Sequence, residues 1–399
     1  MARGRPAGNQ NSAGHLLWLV RTGRARTRGE LQSYTGLSRS TITQRIEVLR
    51  AAGYLRAAGV EESTGGRPAE TLELDTGHGV VLVADLGGNH ARASVVDLGG
   101  QPLAEEHEPI KIGIGPEAVL GWVDEAFRRV LAKAGRDASR VRGIGVGVPG
   151  PVEFDAGMVT QPPIMPGWDG YPIAERLRRT WQRPVYVDSD ANLMALGEQT
   201  VHYPDCPTLV LVKVATGIGA GVVVDGQVYR GIDGGAGAIG HIRLHDHPDA
   251  RCLCGLDGCL AAVASGLAIA QRLTAAGTPT SSGAELVERI RSGHAEAVHL
   301  ARTGGQLLGR VLATVVCLLN PGVLVIAGDL ADAHFVTGVR EMLYQNALPR
   351  STRNLQITTS RLGTQSAVIG GHAMVVDQVY APAAVDADLA RTMPKDGPA

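Results

Sequence analysis

Two widely separated stretches of this chain open in the same way. Val80–Ala84 is an apolar run ending in Asp85-Leu86-Gly87-Gly88, followed by a second run at Ala91–Val96 and a Gly99-Gly100 turn. Leu209–Val214 is again an apolar run, ending in the Gly-rich segment 215–221 and continuing through Val222–Val224 to Asp225-Gly226. Short apolar runs bounded by Gly turns read as buried strands joined in hairpins. Their recurrence predicts an internal duplication: two α/β lobes, each opening with a Gly-rich β-hairpin, whose turns face each other across a cleft. Such turns can offer backbone N–H groups to a phosphate, although each one alone reads as a tight turn. Between the two stretches the apolar spacing of Val119, Leu120, Val123, Phe127 and Val130 predicts a helix over 116–131, and strands follow at Gly143–Val148 and Val185–Val187.

The segment before this body reads differently. Residues 1–60 carry ten arginines against two glutamates, whereas the whole chain has a net charge of −1. A basic head on an acidic body suits a nucleic-acid module, and a solvated basic surface is the alternative. Leu16, Leu17, Leu19 and Val20 form a short helical stripe. Thr27-Arg28-Gly29-Glu30 is a capping box that opens a second helix, Gly36 permits a tight turn, and Ser38 caps a third helix ending near Ala52-Gly53. Ile42, Ile46 and Leu49 must face the core. Arg39, Ser40, Thr43, Gln44 and Glu47 lie opposite. This is the helix-turn-helix layout, in which the second helix of the pair enters the major groove by its N-terminal residues. The candidate DNA contacts are Arg39, Ser40, Thr41, Thr43, Gln44 and Arg45. Arg67 joins them at the tip of a wing, Ser63–Pro68, between strands at 54–56 and 71–74. A helical hairpin with a purely structural role is the alternative. Arg3-Gly4-Arg5-Pro6 resembles a minor-groove hook or is an unstructured tail.

Five cysteines, three of them within residues 252–259, fit a metal site in a reducing compartment better than a disulfide framework. His241, Cys252, Cys254 and Cys259 make a closed donor set for a structural Zn²⁺, with Gly255 and Gly258 letting the loop fold around the ion. Cys317 is expected in the core, and Cys206 has no evident partner. No apolar run reaches the roughly 18 residues of a membrane span and the first residues lack a signal-like apolar stretch, so a cytoplasmic protein with no membrane partner is expected.

Taken in order, Asp85–Gly88, Gly145–Gly150, Asp188-Ser189-Asp190-Ala191-Asn192, Thr216–Gly219, Gly237–His241 and Cys252–Cys259 are similar to the motifs of the ROK family, the group of sugar-responsive repressors and sugar kinases. The resemblance covers residues 80–380. It implies a two-lobed actin/hexokinase-like ATPase fold (78–383), and the N-terminal winged helix-turn-helix read at 1–75 matches the family's repressor branch rather than its kinases. Lobe one would be 80–194 plus a C-terminal helix 365–383, lobe two 195–364, and 384–399 a flexible tail. It also implies the same four zinc ligands, and it places Asp190 where the family's kinases have their catalytic base. A helix cap is the other role open to Asp190.

The departures from the family pattern matter as much. Ser189, Ala238, Ala261 and Ile164 stand where the family has an Asn, a Glu, a second Glu and a second Asn that hold sugar hydroxyls. Asn89 stands for a Thr and Asp329 for a Gly on the nucleotide side. Each lost bond to a charged group is worth about 1.5–3 kcal/mol, so a hexose should bind orders of magnitude more weakly. The expected ligand contacts that remain are Ser189, Asp190, Asn192, Gly217, Gly219 and His241. These readings add up to a DNA-binding regulator, a repressor of carbohydrate-related genes without kinase activity. It would bind a double-stranded operator as a homodimer or homotetramer and sense a modified sugar or sugar phosphate. A sugar kinase with an appended DNA module is the alternative.

Overall fold

The computed structural model describes residues 9–60 and 69–392. The head consists of α1 (Ala13–Arg21), α2 (Arg28–Thr35) and α3 (Arg39–Ala51), then the antiparallel strands β1 (Leu55–Val60) and β2 (Glu70–Leu74). Its local signals are realised. The Thr27 hydroxyl accepts from the Glu30 N–H at 3.2 Å while the Glu30 carboxylate accepts from the Thr27 N–H at 2.9 Å. Gly36 closes α2 at φ +71°, and Ser38 caps α3. Arg67 and the Arg3–Pro6 segment lie outside the described residues.

The body repeats one design twice. The first sheet comprises β3 (Val80–Leu86), β4 (Ala91–Asp97), β5 (Pro102–Glu108), β6 (Val141–Val148) and β9 (Val185–Ser189), in the order β5-β4-β3-β6-β9. Between them lie α4 (Pro116–Lys133), a small hairpin of β7 (Val152–Glu153) and β8 (Met158–Val159), and α5 (Ile173–Trp181). After α6 (Asp190–His202), the second sheet comprises β10 (Thr208–Val214), β11 (Ile218–Val224), β12 (Gln227–Val228), β13 (Val323–Ala327) and β14 (Gln356–Thr359), in the order β12-β11-β10-β13-β14. Each sheet is an antiparallel meander of three strands continued by two parallel ones. Strand for strand the two orders are the same, the duplication expected from the two Gly-rich openings. Helices α7 (Ala261–Ala264), α8 (Gly266–Ala275), α9 (Gly283–Arg291), α10 (Ala295–Leu319), α11 (Ala333–Asn346) and α12 (Pro349–Thr352) belong to the second half.

The described residues end in α13 (Ser366–Val379) and α14 (Pro382–Thr392). Helix α13 packs on α6, β3 and β6, and α14 packs on α1 of the head. One continuous apolar core therefore joins Leu16, Leu19, Ile46 and Leu72 of the head to Leu193, Val375, Tyr380, Val385 and Leu389 of the body. Among the described residues no helix is long and apolar enough to cross a membrane.

Three expectations need correction. The stretch from 384 is helical through Thr392 rather than a flexible tail, because Val385 and Leu389 are buried and the Gly14 N–H donates to Asp386 Oδ1 at 2.8 Å. The contact is close enough that a Cβ on Gly14 would lie 2.2 Å from the Pro382 carbonyl oxygen. A lobe boundary at 194–195 falls inside α6, which touches strands of both sheets as well as α13. Cys317 is exposed, because the turn of α10 points Val316 inward and Cys317 and Leu318 outward.

Candidate functional site

The head presents α3. Ile42, Ile46 and Leu49 are buried, which turns Arg39, Ser40 and Gln44 to solvent and leaves Thr41, Thr43 and Arg45 half-buried. The Ser38 hydroxyl lies 2.9 Å from that of Ser40 and 2.8 Å from that of Thr41, which orders the first turn. Glu47 is not available as a base contact in the same way: it pairs with Arg28 at 3.4 Å and Arg50 at 3.6 Å, and Arg50 also reaches Glu70 at 2.8 Å. These pairs tie α3 to α2 and β2. Arg39 enters no ion pair among the described residues.

The donor set of His241, Cys252, Cys254 and Cys259 converges. Their ligand atoms all lie within 4.8 Å of one another, with Cys252 Sγ 3.7 Å from His241 Nδ1 and Cys254 Sγ 3.7 Å from Cys259 Sγ. A tetrahedral zinc with Zn–S bonds of about 2.3 Å needs its sulfurs about 3.8 Å apart, so the residues fit the ion. Gly255 (φ +88°) and Gly258 (φ +79°) make the left-handed turns that bring the three thiols together. Cys206 stands apart and donates its S–H to the Thr208 carbonyl.

The cleft lies between the two sheets. Its two Gly turns meet as expected: Asn89 Nδ2 donates to Thr216 Oγ1 at 3.4 Å. Beside them opens a cavity of about 460 Å³, lined among others by Asn89, Thr216, Gly266, Gln271, Ser282 and Asp329. Gly217 and Gly219 do not line this cavity. They lie in the turn and on β11, where Gly219 pairs with Lys213 in register.

Several expected ligand contacts carry structural duties. Ser189, not Asp190, is the N-cap of α6, its hydroxyl accepting from the Asn192 N–H at 3.2 Å. Asn192 is buried and donates through Nδ2 to Asp188 Oδ1 at 2.8 Å. Asp188 also accepts from Arg230 at 2.7 Å, and that guanidinium stacks over Phe154 with its carbon 3.9 Å from the ring centre. Ala238 precedes the turn that carries His241, Ala261 opens α7, and the Ile164 side chain lies beside Gly88.

One partner was not foreseen from the sequence. Lys213 Nζ donates to Asp190 Oδ2 at 2.5 Å, and both side chains are largely buried. Burial opposes the charge on Lys213, but Asp190 and Asp85 outweigh it and hold the ammonium above the ordinary lysine range. Burial would likewise push the Asp85 carboxyl up, yet His90, 3.5 Å away, together with Lys213 and Arg92, holds it below the usual carboxylate range. The signal was a lone cation within the apolar run Leu209–Val214, in a chain with only four lysines.

The sequence pattern of the ROK family matches residues 81–378. The chain is 27% identical to the xylose repressor of Caldicellulosiruptor bescii over 88% of its own length and 92% of the relative's. It is 28% identical to a glucokinase of Halalkalibacterium halodurans, over 74% of this chain and 94% of that one. Among solved structures it is similar to a ROK family transcriptional regulator, a homologue of the Escherichia coli MLC protein. That match has a TM-score of 0.79 at 27% identity and covers 95% of this chain and 98% of the other. The similarity to the repressor and to the regulator includes the head, whereas the glucokinase match leaves about a quarter of this chain uncovered.

Proposed function

The chain belongs to the ROK family, and from that premise we propose that it is a sequence-specific DNA-binding repressor of carbohydrate-related genes. The observation that carries this is the head: a capped helix-turn-helix with a polar reading face, joined through α14 and one apolar core to a sugar-kinase-like body. In this reading α3 enters the major groove of a double-stranded operator, with Arg39, Ser40, Thr41, Thr43, Gln44 and Arg45 as contacts and Arg67 on the wing. The protein acts as a symmetric dimer or tetramer, since paired half-sites mirror two-fold symmetry. His241, Cys252, Cys254 and Cys259 hold one structural Zn²⁺ per chain.

The body is a sensor, and Ser189, Asp190, Asn192, Gly217, Gly219 and His241 are its candidate effector contacts. With Ala238, Ala261, Ser189 and Ile164 in the sugar face, the effector is a modified sugar or a sugar phosphate. Genome-wide mapping of binding sites tests the regulator reading. The expected result is a palindromic site upstream of carbohydrate genes, and binding without sequence preference would refute it.

The glucokinase similarity keeps one second reading in view, an ATP-dependent sugar kinase carrying a DNA module. A coupled assay over a sugar panel separates the two. Turnover that vanishes in Asp190→Asn would establish the kinase.

A further inference from the structure

Lys213 and Asp85 occupy the same place in the two halves of the body. Each is the penultimate residue of the strand that opens its hairpin, β10 for Lys213 and β3 for Asp85. In register Asp85 lies between Arg92 on β4 and Gly147 on β6, and Lys213 between Gly219 on β11 and Ala327 on β13. The duplication thus points an acid and a base at each other across the cleft. Asp190, at the start of α6, completes the group. A Cβ on Gly147 would lie 3.8 Å from Asp190 Cα and 3.8 Å from Asp85 Oδ1, so the Asp85 carboxylate and the backbone of Asp190 flank one small residue. Lys213 Nζ lies 2.5 Å from Asp190 Oδ2, and Asp85 and Asp329 are its other negative neighbours.

Two carboxylates beside phosphate-accepting Gly turns are what a hard divalent cation uses in a phosphoryl-transfer cleft, with water and ligand phosphates completing its shell. Here an ammonium already stands among them. It supplies positive charge at that point, and it repels a second cation brought to the same carboxylates. The choice of residue agrees: a chain with 34 arginines and four lysines places a lysine here. A compact ammonium on a flexible stem reaches a point between carboxylates, where a planar guanidinium needs a flat bidentate partner. The small neighbours Gly219 and Ala327 leave its stem room.

We infer that Lys213 is a tethered cation occupying the place of a divalent metal, so that this cleft takes its ligand without a metal ion and excludes metal–nucleotide complexes. The inference rests on reading the body as a sensor and not a phosphotransferase. The Lys213–Asp190 pair also ties β10 to the first turn of α6.

The test uses Mn²⁺ alone as probe on the zinc-loaded full-length protein, following free Mn²⁺ by electron paramagnetic resonance. Wild type and Lys213→Arg should take up no Mn²⁺ in the cleft. Lys213→Thr leaves the carboxylates without a counter-charge and should gain one site per chain, at least about ten-fold tighter than any site in wild type. That site should disappear again in Lys213→Thr/Asp190→Asn. Should Lys213→Thr fail to fold, Lys213→Gln, of similar reach, is measured in its place. Uptake by wild type that is lost in Asp190→Asn, or no gain in either neutral variant when folded, overturns the inference. Neither outcome alters operator binding by the wild-type head, so failure here is distinct from failure of the regulator reading.

Discussion

The phenolic hydroxyl of Tyr54, the residue immediately before β1 in the head, donates to Asp388 Oδ2 of α14 at 2.5 Å. Tyr54 is buried, its ring 4.7 Å from that of His78 and 5.7 Å from that of Tyr380. Arg21 of α1 reaches Asp377 of α13 at 2.7 Å nearby. The head is thus clamped to α13 and α14, and α13 in turn packs on α6, β3 and β6 of the body.

Tyr54→Phe removes one of two donors to Asp388, the other being Arg391 at 3.2 Å, and should cost about 0.5–1.5 kcal/mol of stability at the clamp. Leu389→Ala, which empties a buried site, should cost about 2–5 kcal/mol. Hydrogen exchange should show the loss first in α1–α3, with the sheets of the body keeping their protection. Equal loss of protection across body and head would show that the clamp is not a separable unit.

On the reading face, Arg39→Ala and Gln44→Ala should each weaken specific operator binding by about 1–3 kcal/mol. Fluorescence anisotropy at one fixed salt concentration measures it. Unchanged affinity in both variants would mean that another surface reads the bases.

For the metal centre, elemental analysis of protein never exposed to chelator should give one zinc per chain, and Cys254→Ser should lower it. A stoichiometry near zero in wild type removes zinc from the account. The exposed Cys317 should meanwhile react with a thiol reagent without releasing metal.

Acid should loosen the clamp. Burial lowers His372 to about 4 from the ordinary 6.5, and burial with Arg142 and Arg140 lowers His78 to about 4 as well. The unfolded chain then binds these protons before the folded chain does. Stability from both sites is therefore complete above pH 6.5 and is lost progressively as pH falls toward 4. Melting temperature against pH should decline through this window, and His372→Gln should flatten the decline. A profile flat from pH 7 to 4.5 would contradict the assignment.

Titration of the operator complex with free hexoses and hexose phosphates checks the cleft. A buried hydroxyl without a partner costs about 1–3 kcal/mol, and Ala238, Ala261 and Ile164 offer none. Free hexoses should not release the DNA at micromolar concentration. Release by glucose in that range would show that the polar contacts lie elsewhere in the cleft.

The sequence by itself determined whatever depends on near neighbours. The capping box of Thr27 and Glu30, the Ser38 cap, the left-handed Gly255 and Gly258 and the spacing of the four metal donors all act within a few turns of chain, where geometry follows from residue type. The paired Gly-rich hairpins were legible because a strand and its turn are local, and two identical sheet orders followed from them. Tertiary structure alone decided the rest. Asp190 meets Lys213, Asp188 meets Arg230 and Tyr54 meets Asp388 across distances that no periodicity reports. The same held for residues 384–392: as an isolated segment they promise little, and only the apolar face of α1 offers Val385 and Leu389 a burial that outweighs the entropy of ordering them.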